Sequence, residues 1–142
     1  MNTKDIEISM SSNQIMNEPI LLDNNFNVIV NEIIILLDNT EISLTKQKIL
    51  DYLNNHNIKF QEIYNWLLNN QNDSNSIALL GNFNQYGIEI SVNEQNAFEL
   101  YQKAANLGNT YGINNLGSCY LNGIGTEIDK QKAFEFYQKL QI

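Results

Sequence analysis

Arginine is absent from this 142-residue chain: all eight basic residues are lysines, set against sixteen Asp and Glu, for a net charge of −8. Without guanidinium forks there is no bidentate capture of phosphate or carboxylate. Without a basic face there is nothing to neutralise a nucleic-acid backbone, so nucleic acid is not an expected partner. A protein-kinase catalytic loop of the His-Arg-Asp type is likewise impossible. The single cysteine, Cys119, rules out an internal disulfide and fits a reducing compartment. No basic segment followed by an apolar run and a small-residue cleavage site opens the chain. Its most apolar stretch, residues 28–37, is too short for a membrane span and contains Glu32. A cytoplasmic protein that does not enter the membrane is the expectation. The surplus of Asn and Ile is read as codon bias rather than as a prion-like tract, because Asn is spread along the chain among periodic Ile and Leu.

What is present is a repeat. Leu80-Gly81 returns 36 residues later as Leu116-Gly117, Gly87-Ile88 as Gly123-Ile124, and Ala97-Phe98-Glu99 as Ala133-Phe134-Glu135. Tyr101-Gln102-Lys103 returns as Tyr137-Gln138-Lys139. Aligned from Ser76 onward, the two copies share about a dozen identities in roughly thirty pairs. A period of this length means stacked supersecondary units, since one unit cannot bury its apolar face alone.

Each copy reads as a helix pair. Asp73 or Ser74 can cap a helix carrying Ile77, Leu80 and Phe83 that stops at Gly87. Asn93 can cap the next, with Ala97, Leu100, Tyr101 and Ala104 on one face and Gly108 at its end. A third helix starts at Thr110 and stops at Gly123; a fourth is capped by Asp129. The recurring small residues call for close helix approach, Gly81 and Gly117 being expected opposite Ala97 and Ala133. Tyr101 and Tyr137 are expected to fill the seam to the next unit with their hydroxyls at a wet edge.

The first half is less regular. Residues 1–24, with the only proline (Pro19), read as a mobile arm or the edge of a truncated chain. From Phe26, apolar residues at Phe26, Ile29, Val30, Ile33 and Leu37 follow helical spacing, and a helix is preferred to a strand over residues 26–30. Apolar nearly all round, that helix should be covered on every side, within the domain or by a partner. Two further helices follow, around residues 44–53 and 60–68, as an αα-hairpin with Asn57 as the N-cap of the second. The expected organisation is an arm over 1–24, helices over 25–72 including the hairpin, and repeat units over 73–108 and 109–142. An open solenoid face is expected at the end of the second unit, which points to a truncated chain or to a last unit covered by itself or by another chain.

Leu116-Gly117, Tyr120, Gly123-Ile124-Gly125, Asp129, Lys132-Ala133, Phe136-Tyr137 and Lys139, with their counterparts in the first copy, resemble the Sel1-like repeat, a module related to tetratricopeptide repeats. The resemblance covers residues 76–142 and implies an all-α fold, a short solenoid of antiparallel helix pairs preceded by additional helices. Glu89 stands where the second loop glycine belongs, Asn84 where an aromatic belongs, and Leu140 interrupts the final Lys-Ala-Ala. Residues 49–70 are similar to segments that precede Sel1-like units in fungal families, whose members often carry a protein-kinase-like domain.

No constellation for catalysis stands out. Gly123-Ile124-Gly125 lacks a third glycine and lies between helices. His56, the only histidine, reads as an exposed turn residue, and Cys119 as a small packed hydrophobe. One His and one Cys make no N/S metal site, and neither a metal nor a cofactor is expected. Tyr64 and Trp66 read as a core contact to the first repeat, with a partner-binding aromatic as the alternative. The expected function is a non-catalytic protein-interaction scaffold or adaptor in signalling, its partner a protein or peptide of basic character. The first helix of each unit would line an inner curve and present Asn82, Gln85, Tyr86, Ser118, Leu121 and Asn122. The alternative is the regulatory C-terminal segment of a kinase-like signalling protein.

Overall fold

A computed structural model describes residues 23–141, all of whose regular elements are helical. The arm expected over residues 1–24 lies outside them, except for Asp23 and Asn24, which open the first helix. In chain order the helices are α1 (Asp23–Asp38), α2 (Thr45–Asn55), α3 (Phe60–Leu68), α4 (Ser74–Tyr86), α5 (Glu94–Asn106), α6 (Thr110–Asn122) and α7 (Lys130–Lys139). A 3-10 turn, Ile42–Leu44, leads into α2.

The punctuation of these helices is chemical. Asp73, Asn93, Asn109 and Asp129 each accept the backbone N–H three residues on, at 3.1, 3.0, 2.8 and 3.0 Å. Each side chain thereby satisfies a donor that the first helical turn leaves unpaired. Four helices also end alike. Asn57, Gly87, Gly108 and Gly123 have φ of 55°, 65°, 83° and 71°. The next N–H bonds back to the carbonyl five residues earlier: Ile58 to Leu53, Ile88 to Phe83, Asn109 to Ala104 and Ile124 to Cys119. This is the Schellman closure. Asn57 therefore terminates α2 rather than capping α3, which begins after Lys59 with no side-chain cap bond.

The helices form two rows. α1, α4 and α6 lie side by side in one; α3 packs on α1 and α4, α5 on α4 and α6, and α7 on α6. α2 packs chiefly on α1. The larger core joins α1 to α4 and extends to Leu100, Ala104 and Tyr111; a smaller cluster of Ala97, Tyr101, Leu116, Cys119, Tyr120 and Ala133 joins the two repeat units. α1 buries Phe26, Val30, Ile33, Ile34 and Leu37. Val28 and Ile35 remain 54% and 65% exposed, so the all-round cover expected of this helix is not provided within the described residues.

A second device recurs with the period. The N–H of Asn93 donates to the Asn84 carbonyl and that of Asp129 to the Tyr120 carbonyl, both at 2.8 Å. Each interhelical loop is thus tied back to its first helix just before the second begins.

Candidate interaction surface

The middle helix of the row sets what the surface can offer. α4 is flanked by α1, α3, α5 and α6, and its residues 76–84 are buried without a break. Asn82, expected on an open inner curve, is fully buried there. Its Nδ2 donates to the Tyr111 hydroxyl at 2.8 Å, and its Oδ1 faces the Tyr101 hydroxyl at 3.4 Å. It joins α4, α5 and α6 and offers nothing to a partner. Ser118, its counterpart one period later, is 8% exposed and also belongs to the interior. The physical reason is the tightness of the row: neighbouring helices close over the face that a more open solenoid would expose.

The other four nominated positions reach the surface at the ends of α4 and α6. Gln85 and Tyr86 are half-buried, and Leu121 and Asn122 are exposed. The Tyr101 hydroxyl donates to Gln85 Oε1 at 2.7 Å, which fixes that side chain from below. Tyr86 lies near Thr45 at the start of α2. Asn122 donates to both the carbonyl and the hydroxyl oxygen of Ser118, each at 3.2 Å. Burial pushes the Tyr86, Tyr101 and Tyr111 hydroxyls above the usual phenol range, so they act here as neutral hydrogen-bonding groups.

Gly81 and Gly117 do not face alanines. A Cβ on Gly81 would lie 2.6 Å from Cε1 of Tyr101, and one on Gly117 2.8 Å from Cε1 of Tyr137. Each glycine makes room for the flat side of a tyrosine ring from the following helix. Ala97 and Ala133 lie instead in the cluster between the units. Tyr101 is fully buried, which places its hydroxyl among Asn82 and Gln85 rather than at the expected wet edge. Leu80 and Leu116 are core residues, as their spacing suggests. The small-on-small contact lies elsewhere: a Cβ on Gly112 would come within 2.8 Å of Ala104 Cβ, between α5 and α6. Sequence reasoning overlooked Gly112, although the period pairs it with another small residue, Ser76, which is fully buried.

Gly125 seats the α6–α7 loop on the start of α5, where a Cβ would overlap the Glu94 carbonyl oxygen and come 2.8 Å from Phe98 Cβ. The Gly123-Ile124-Gly125 fragment is thereby a packing element. Cys119 is buried, and desolvation, with the Glu94 carboxylate adding to it, pushes its thiol up to about 12; such a thiol carries almost no thiolate near neutrality. His56 is exposed in the turn after α2, stacked on Tyr52 with ring centroids 3.9 Å apart. Tyr64 stacks on Phe60 and Phe83, the latter in the first repeat, whereas Trp66 meets Phe26 of α1. Among the described residues no group of three or more His, Cys, Asp or Glu could hold a metal ion.

The family model for the Sel1 repeat matches residues 74–109 and 110–140. The chain carries two Sel1 repeats. The first is α4 with α5, the second α6 with α7, and the helical architecture is that of a Sel1- or tetratricopeptide-like solenoid. Comparison with curated proteins and with solved structures finds no match. Sel1 repeats are generally protein-interaction modules and typically non-catalytic, which makes protein the indicated class of partner. No helix among the described residues is long and apolar enough to cross a membrane.

Proposed function

We propose that this chain is a non-catalytic adaptor, acting in cytoplasmic signalling, that holds a protein or peptide partner against Gln85, Tyr86, Leu121 and Asn122. One observation carries the reading. These four side chains stand at corresponding positions of successive Sel1 repeats, at the same ends of the neighbouring helices α4 and α6, and combine amide, phenol and aliphatic surface. The buried Tyr101 hydroxyl restrains Gln85 before any partner arrives, which lowers the ordering penalty of binding. The net charge of −8 favours a basic partner.

A peptide array probed with the purified chain tests this. Saturable binding to a subset of sequences is expected, and the double variant Tyr86→Ala with Leu121→Asp should weaken it by about tenfold or more. Circular dichroism must show the variant folded. No saturable binding to any sequence, or binding indifferent to both substitutions, refutes the assignment.

A further inference from the structure

Charge is divided unevenly between the first and last helices. α1 holds Asp23, Glu32 and Asp38 with no basic residue, and Glu41 follows in the turn beyond it. α7 holds Lys130, Lys132 and Lys139 against Glu135 alone. They are the most acidic and the most basic of the described helices.

Each also leaves apolar surface uncovered. Where α1 turns into α2, Ile35, Leu36 and Leu44 line an open groove of about 490 Å³, with Glu41 and Lys48 also in its walls. Ile42, in the same turn, is exposed. On α7, Phe134 is exposed one turn after Lys130. The first repeat shows what becomes of a phenylalanine at this position. Phe98, its counterpart, lies against the α6–α7 turn, where a Cβ on Gly125 would come 2.8 Å from Phe98 Cβ. The α1–α2 connection is likewise an interhelical turn, and its apolar groove is unfilled among the described residues.

The charges decide which copy-to-copy contact is favoured. A two-fold pairing of α7 with α7 would set lysines against lysines, and one of α1 with α1 carboxylates against carboxylates; both are penalised. The crosswise arrangement sets lysines against carboxylates and covers both apolar patches at once.

We propose that the chain associates head to tail with a second copy of itself, Phe134 and Lys130 on α7 of one protomer entering the groove between α1 and α2 of the next, beside Glu41. Such a contact is heterologous and propagates, since each assembly keeps a free groove at one end and a free α7 at the other. It uses none of Gln85, Tyr86, Leu121 and Asn122, so this contact and the partner surface can fail independently.

Sedimentation of the full chain from about 10 μM to 1 mM tests it. The mean mass is expected to climb past that of a dimer as concentration rises, and association to weaken severalfold between about 0.05 and 0.5 M salt. Two variants each disable one end at exposed positions: Lys130→Gln with Phe134→Gln, and Ile35→Gln with Glu41→Gln. Each alone should associate at least about tenfold more weakly, with circular dichroism showing it folded. Mixed in equal amounts they should form a dimer and nothing larger, because one supplies an intact groove and the other an intact α7. A chain that is monomeric at every concentration overturns the proposal, and leaves the α1–α2 groove to the N-terminal segment or to another protein. Association that stops at a dimer and survives either pair of substitutions reveals a two-fold contact and also overturns it. So does a mixture of the two variants that stays monomeric.

Discussion

Tyr101 and Tyr137 hold the same place in successive Sel1 repeats and live under different conditions. Tyr101 is fully buried, its ring against Gly81 and its hydroxyl bonded to Gln85. Tyr137 lies against Gly117 in the same way, yet remains half-buried. The difference arises because α6 follows α5 and covers it, whereas among the described residues only α6 packs substantially on α7. Ala104, closed against Gly112, has Leu140 as its counterpart, which is half-buried. Phe98 is half-buried over the Gly125 turn, and its counterpart Phe134 is 57% exposed. One motif thus carries different energetic weight in its two copies. What a repeated residue contributes depends on its neighbour as much as on its identity.

The sharpest break of that symmetry is expected at the second loop position. Gly125 has φ of +70°, and a Cβ there would overlap the Glu94 carbonyl oxygen. Gly125→Ala should therefore destabilise the fold by about 3 kcal/mol or more, combining a left-handed backbone penalty with a collision against backbone that cannot yield. Chemical denaturation followed by circular dichroism measures it. A loss below about 1 kcal/mol would mean that the loop does not brace the two units in solution.

Gly81→Ala and Gly117→Ala come next and test the comparison itself. Alanine gains about 1 kcal/mol of helix propensity at either site. At Gly81 the new methyl meets a ring enclosed on all sides, so overpacking should win and leave a net loss of about 1–2 kcal/mol. At Gly117 the Tyr137 ring has solvent on one side and can swing away, so the net change should stay within about 1 kcal/mol of zero. Equal losses in the two variants would show that α7 is as firmly covered as α5, and the distinction between the copies would fall.

The architecture was legible because it rests on local rules. Capping Asp and Asn side chains and left-handed glycines act within a few residues of themselves, the 36-residue echo repeats them, and Asp73, Asn93 and Asp129 cap as their positions suggest. Errors arose where one residue type serves two ends or where a third helix intervenes. Asparagine suits an N-cap, the role that the position of Asn57 suggests, but it also tolerates the left-handed conformation that closes α2. Helical spacing puts Asn82 on a face without saying which neighbours cover it. The facing of Gly81 by Tyr101 rather than Ala97 is similarly a matter of how two helices are set against each other.

The smallest expected effect lies in the copy that departs from its motif. Glu89 occupies the place that Gly125 holds in the second repeat, and it adopts the same backbone, with φ of +58°. A side chain with a Cβ is disfavoured there by roughly 1–2 kcal/mol, and it keeps that conformation only because the surroundings impose the turn. Ile88, fully buried, and the Asn93-to-Asn84 bond hold the turn from both sides. Glu89 is exposed, so its removal takes away no packing. Glu89→Gly should accordingly raise stability by about 0.5–1 kcal/mol, the relief of strain being partly offset by the greater freedom of glycine in the unfolded chain. The same denaturation measurement decides it. If Glu89→Gly destabilises instead, the carboxylate makes a compensating contact in solution, and the first repeat departs from the motif for a reason beyond tolerance of strain.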